Sequence, residues 1–171
     1  MKKLVIMLAA LPLATAVLAH DTSGDPIVHW RGMAGVITAQ GVDNPVSANI
    51  SSGTFAWTVR DGRAQADLHT GALAFSVEGL VINGAQFSGT PGSITAVTGT
   101  LVCNAGAVGE STYDSPPVPL SAKGNASFSG NVTQGAVDCP NPLFLVRIAV
   151  PEGATGRWIA TGTQRVTSSH Y

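Results

Sequence analysis

The stretch FAWTVRDGRAQADLHTGALAFSVE, residues 55–78, decides the fold class. Phe55, Trp57 and Val59 alternate with Ala56, Thr58 and Arg60, and Leu73, Phe75 and Val77 alternate with Ala74, Ser76 and Glu78. A period of two puts one set of side chains on each face of a half-buried β-strand, whereas a helix would repeat every three to four positions. Arg63 to His69 reads as the strand between them. Asp61-Gly62 predicts a hairpin turn, because both central positions of the favoured two-residue turn need positive φ. Thr70-Gly71 predicts a second turn. Residues 53–82 therefore read as a three-stranded antiparallel meander.

The same alternation, broken by Gly, Pro, Asn and Asp, runs through the rest of the chain. Upstream, Ile27 to Trp30 and Met33 to Ala39 supply one or two strands. Downstream, strands are expected over Ile94 to Asn104, Asn125 to Val132, Leu143 to Val150 and Gly156 to Thr163. Leu143 to Val150 is almost continuously apolar, as in a strand buried on both faces. Asn104 to Pro119 reads as a long connection, since prolines lack the amide a central strand needs. The expectation is an all-β, single-domain antiparallel β-sandwich or small barrel of about eight or nine strands.

The first residues carry a different pattern. Lys2 and Lys3 precede the apolar run Leu4 to Leu13, and small residues follow at Ala14-Thr15-Ala16 and Val17-Leu18-Ala19. This is the layout of a secretory signal peptide, residues 1–19, with cleavage after Ala19 preferred over Ala16. The remainder divides into a β domain over residues 20–166 and a polar tail over 167–171. Losing Lys2 and Lys3 leaves seven of the nine Lys+Arg against ten Asp+Glu, a net charge of −3. No later stretch is apolar enough to span a membrane, and the charge excludes the basic footprint of a nucleic-acid binder. The expected location is periplasmic or secreted. Cys103 and Cys139 are the only cysteines. In an exported chain such a pair predicts one disulfide, and with no CxxC spacing it offers neither a zinc nor a thioredoxin-type site.

Several pieces of the chain occur together in a recognisable order: Val77-Glu78-Gly79-Leu80-Val81-Ile82, Gly99-Thr100-Leu101-Val102-Cys103-Asn104, Val118-Pro119-Leu120-Ser121, Gly124-Asn125-Ala126, Cys139-Pro140, and Gly156-Arg157-Trp158-Ile159-Ala160-Thr161-Gly162. Spanning roughly residues 70–163, this order resembles a group of exported bacterial β-rich proteins with paired cysteines. The resemblance implies export, the cysteine pair and a β fold. It implies no activity.

Candidate chemistry is sparse. Cleavage after Ala19 would make His20 the N-terminus, where α-amine and imidazole can chelate Cu(II), with His29 or His69 as a further nitrogen ligand. Copper is the one cofactor this pattern suggests. Glu78 and Asp67 lie on adjacent expected strands and invite comparison with a glycosidase pair. No nucleophile elbow, phosphate loop or calcium loop is present. Among the aromatics, Trp57 and Trp158 fall in alternating apolar positions and are expected in the core. Trp30, between His29 and Arg31, and Tyr113, in the Pro-rich connection, are the candidates for an exposed binding face. With no catalytic set, the sequence reads as a binding or structural protein rather than an enzyme, its partner an envelope protein or a polysaccharide. The alternative is copper binding through His20.

Overall fold

Alternation alone would leave each sheet with one greasy face, and the chain buries these faces by stacking two sheets. The computed structural model describes residues 26–84, 86–150 and 155–164. The expected signal stretch 1–19, His20 and the expected tail 167–171 lie outside the described residues. Twelve strands run through the described residues: β1 (Ile27–Trp30), β2 (Gly32–Gly35), β3 (Trp57–Thr58), β4 (Asp61–Asp67), β5 (Ala72–Glu78), β6 (Val81–Ile82), β7 (Ala96–Cys103), β8 (Ser111–Asp114), β9 (Val118–Pro119), β10 (Ala126–Asn131), β11 (Leu143–Ala149) and β12 (Thr155–Thr163). The excess over eight or nine comes from β6, β8 and β9, which match no expected strand. Both β8 and β9 lie inside the stretch that reads as a connection, separated by Pro116 and Pro117.

One sheet has the order β1-β4-β5-β10 and the other β2-β12-β11-β7-β8, with β9 also on β7; β3 and β6 form a separate pair. All paired strands are antiparallel. The chain passes from one sheet to the other through a single residue, Arg31, between β1 and β2. That corner closes one side of the sandwich. The side bounded by β10 and by β8 and β9 is not bridged by a strand ladder, so the two sheets make a half-barrel.

The expected meander is therefore redrawn. Asp61-Gly62 is not a turn: Asp61 pairs with Glu78 and Gly62 with Val77, and the ladder continues into Arg60, whose N–H donates to Glu78 O at 3.0 Å. Gly62 does not have the positive φ the turn would need, and Met33 packs where a Gly62 Cβ would stand, 2.8 Å from Sδ. The strand expected over 55–59 shrinks to β3 and pairs with β6 instead of β4. The turn at Gly71 holds, with φ 73° and Asp67 Oδ1 accepting the His69 and Thr70 N–H groups at 2.8 and 3.2 Å.

The core between the sheets is built on rings and glycines. Trp30 and Phe75, from the four-stranded sheet, lie 5.7 and 5.5 Å from the ring of Phe144 on β11. Phe128 on β10 is 6.2 Å from Phe75. The rings fit because the facing strands carry glycines: a Cβ on Gly99 would sit 2.4 Å from Phe75, and one on Gly162 would sit 2.6 Å from Trp30. Trp57 and Trp158 are buried, as their alternation implies. Cys103, at the end of β7, is joined to Cys139 in the segment before β11, with 4.7 Å between the Cα atoms. Beside it Asn104 N–H donates to Pro140 O at 2.8 Å.

Candidate functional site

The outer face of the four-stranded sheet follows from its register. His29 lies opposite Gln65, Gln65 opposite Ala74, and Ala74 opposite Ser129; one rung on, Arg63 lies opposite Ser76 and Ser76 opposite Ser127. Strand side chains alternate, so these residues point away from the rings of Trp30 and Phe75. On β5 the outward residues Ala72, Ala74 and Ser76 are small, while the neighbouring strands present Gln65, Arg63 and His29. Short side chains on a middle strand beside long ones make a depression. It is a solvent-open trough of about 560 Å³, floored by Ala74 and Ser76 and walled by His29, Arg31, Arg63 and Gln65.

The charge in this trough is one-sided. None of its lining residues is a carboxylate. Elsewhere among the described residues the guanidinium groups are engaged: Arg60 meets Glu78 at 2.7 Å and Arg157 meets Asp43. Arg147 is buried, with Nε donating to Gly156 O at 2.8 Å and Nη2 to Thr155 O at 3.3 Å. Burial pulls its pKa below the usual arginine value and the charge of Asp114 acts against that. Asp114 itself accepts the hydroxyls of Thr100 and Thr155, which ties β8 to β7 and β12. The guanidinium groups of Arg31 and Arg63, both exposed, have no hydrogen-bond or ion-pair partner among the described residues. A protein with more acids than bases thus holds two uncommitted guanidinium groups and an imidazole on the wall of one trough.

The residues singled out from sequence are dispersed. Trp30 is 1% exposed and lies between the sheets, so it offers no open binding face. It borders the trough only from beneath its floor. The polar neighbours His29 and Arg31 point outward because they flank Trp30 in a strand, and the same geometry sends Trp30 inward. Tyr113 sits on β8 opposite Leu101, half-buried against the core instead of on an exposed loop. Glu78 and Asp67 do not face each other: Glu78 pairs with Asp61 at one end of the β4–β5 hairpin and Asp67 with Ala72 at the other. His29 is in the trough, whereas His69 lies past the end of β4 in the turn to β5. Among the described residues no three His, Cys, Asp or Glu side chains are grouped to hold a metal ion. Nothing in composition or motif marks Arg63, Gln65 and Ser76 as site residues. Their shared odd-numbered phase along β4 and the matching even phase on β5 were the available signal.

A smaller apolar crevice of about 220 Å³ is bordered by Phe55, Trp57, Ile82, Phe87 and Ile94. The long loop before it is strapped across β12: Trp158 Nε1 donates to Asn44 O at 3.0 Å, and Arg157 Nη1 to Ser52 O at 2.8 Å.

No family model, curated protein or solved structure matches the chain.

Proposed function

We propose that the protein is an exported binding module whose trough on the four-stranded sheet takes an acidic polysaccharide. The observation that carries this reading is the placement of Arg31 and Arg63, unpaired and side by side with His29, over a floor of Ala74 and Ser76 without any carboxylate. Planar guanidinium forks match carboxylates in two-point hydrogen bonds, and Gln65 and Ser76 add neutral groups suited to sugar hydroxyls. The open, shallow shape suits a chain lying across a sheet better than a small molecule enclosed in a pocket. Export is supported by the signal-like residues 1–19 and by the Cys103–Cys139 disulfide, a bond at home in oxidising compartments.

Calorimetric titration with polygalacturonate, and with neutral dextran as comparison, tests the assignment. Binding of the polyuronate alone is expected, weakening with salt and falling at least about tenfold in Arg31→Ala/Arg63→Ala, a modest loss for two charge-assisted contacts. Equal binding of dextran, or an unchanged affinity in the double variant, overturns it.

A further inference from the structure

We propose that the free edge of β10 pairs with β10 of a second copy of this chain, joining two four-stranded sheets into one antiparallel eight-stranded sheet. β10 is an outer strand of its sheet, bonded to β5 on one side only. The register identifies which of its groups are free. Val132 N–H donates to Gly71 O at 3.0 Å, so the Val132–Gly71 pair is hydrogen-bonded. Antiparallel ladders alternate, so Ala126, Phe128 and Gly130 exchange bonds with Val77, Phe75 and Leu73. Ser127, Ser129 and Asn131 then direct their N–H and C=O groups away from β5, and no backbone hydrogen bond to them occurs among the described residues.

Edges of this kind are normally guarded by brevity, charge or proline. Of the other outer strands of the two large sheets, β1, β2 and β8 have four residues each and β9 has two. β10 has six, ASFSGN, with neither charge nor proline. It is also complementary to itself. A two-fold axis at Ser129 sets Ser129 opposite Ser129 and Ser127 opposite Asn131, and the outward groups of both copies all find partners. The outer-face side chains that meet are small and neutral, so no like charges oppose. On the inner face the same register sets Phe128 opposite Gly130 of the second copy. Within one chain the half-buried Phe128 ring already leans towards Gly130, 3.0 Å from where a Cβ would stand. Glycine leaves room there for a ring from either copy, the arrangement by which an aromatic covers an edge glycine. Such a dimer is isologous and closes on itself without propagating. Both troughs fall on the same face of the joined sheet, their β5 floors about 14 Å apart from three strand spacings.

Sedimentation equilibrium across a micromolar concentration series, with the purified protein and three variants, decides the point. Ser129→Pro removes only an outward N–H, and Ser129→Lys places two like charges across the axis. Each is expected to raise the dimer dissociation constant at least about tenfold, with the Lys effect shrinking in high salt. Ser129→Ala is expected to dimerise as the parent does. Circular dichroism checks that the fold survives, and if Ser129→Pro fails it, Ser129→Lys carries the decision. A parent chain that stays monomeric at every concentration, leaving the edge to some other strand, overturns the proposal. So does a dimer indifferent to both changes.

Discussion

Gly99→Ala sets two physical effects against each other, and the structure says which wins. Gly99 lies inside β7 opposite Val146, outside the positive-φ region, so its backbone accepts alanine. On backbone grounds alone the change would stabilise, by roughly 0.4–1 kcal/mol, because alanine narrows the unfolded ensemble. The new methyl, however, would stand 2.4 and 2.6 Å from two atoms of the Phe75 ring and 3.2 Å from Phe144. Phe75 cannot step aside, since Phe144 and Phe128 hold its ring at 5.5 and 6.2 Å. Overpacking of this kind costs about 1–3 kcal/mol, so a net loss of about 1–2 kcal/mol is expected. Thermal unfolding would show it as a Tm lower by about 2–8 °C for a domain of this size. The partner change Phe75→Leu makes room for the methyl. In a double-mutant cycle the combined variant should therefore be less destabilised than the sum of the two single changes by about 1 kcal/mol or more. A Gly99→Ala protein with a Tm equal to or above the parent, or strictly additive variants, would refute the ring-and-glycine account of the core.

Two other outcomes follow from local geometry. Removing the disulfide by Cys103→Ser/Cys139→Ser closes off a cross-link over a sequence separation of 36 and should cost about 2–4 kcal/mol in urea unfolding, with the parent falling to the same value under reductant. The Asp67 carboxyl is held below its ordinary value of 3.8, chiefly by the Thr70 hydroxyl and then by the His69 N–H. Because the folded pKa is the lower one, its contribution is complete above the unfolded value and is lost as pH falls through the folded value. Asp67→Asn should therefore flatten the acid side of the stability profile and leave the neutral side's pH slope unchanged.

The fold class was legible because strands announce themselves by period. Residues 63–78 and the apolar run at β11 hold as read, and Gly71 turns the chain where its φ of 73° requires glycine. What failed did so for local reasons. Asp61-Gly62 has turn chemistry, but the Arg60–Glu78 ladder extends past it and keeps it straight. The prolines after β8 hid two short outer strands, where a missing amide costs little. Trp30 is buried because polar neighbours in sequence, which argue for exposure in a loop, argue for burial in a strand. The trough could not be read in advance, because it depends on β1 lying beside β4, a pairing between segments that the long loop over residues 36–56 separates. The disulfide needed only two cysteines and a signal-like N-terminal stretch.

The single-residue corner at Arg31 has a consequence for the order in which the molecule can assemble. β2, immediately after it, has β12 as its ladder partner, with Gly32 against Thr163. A chain that enters a compartment N-terminus first would deliver β2 among the earliest strands and its partner among the last. Until then the six-stranded sheet lacks its outer member, and Trp30 faces no Gly162. Closure of the sandwich is thus a late event over a long sequence separation, slow by the measure that relates folding speed to topology. The local hairpin of β4 and β5 can form meanwhile and wait for both ends of the chain to arrive.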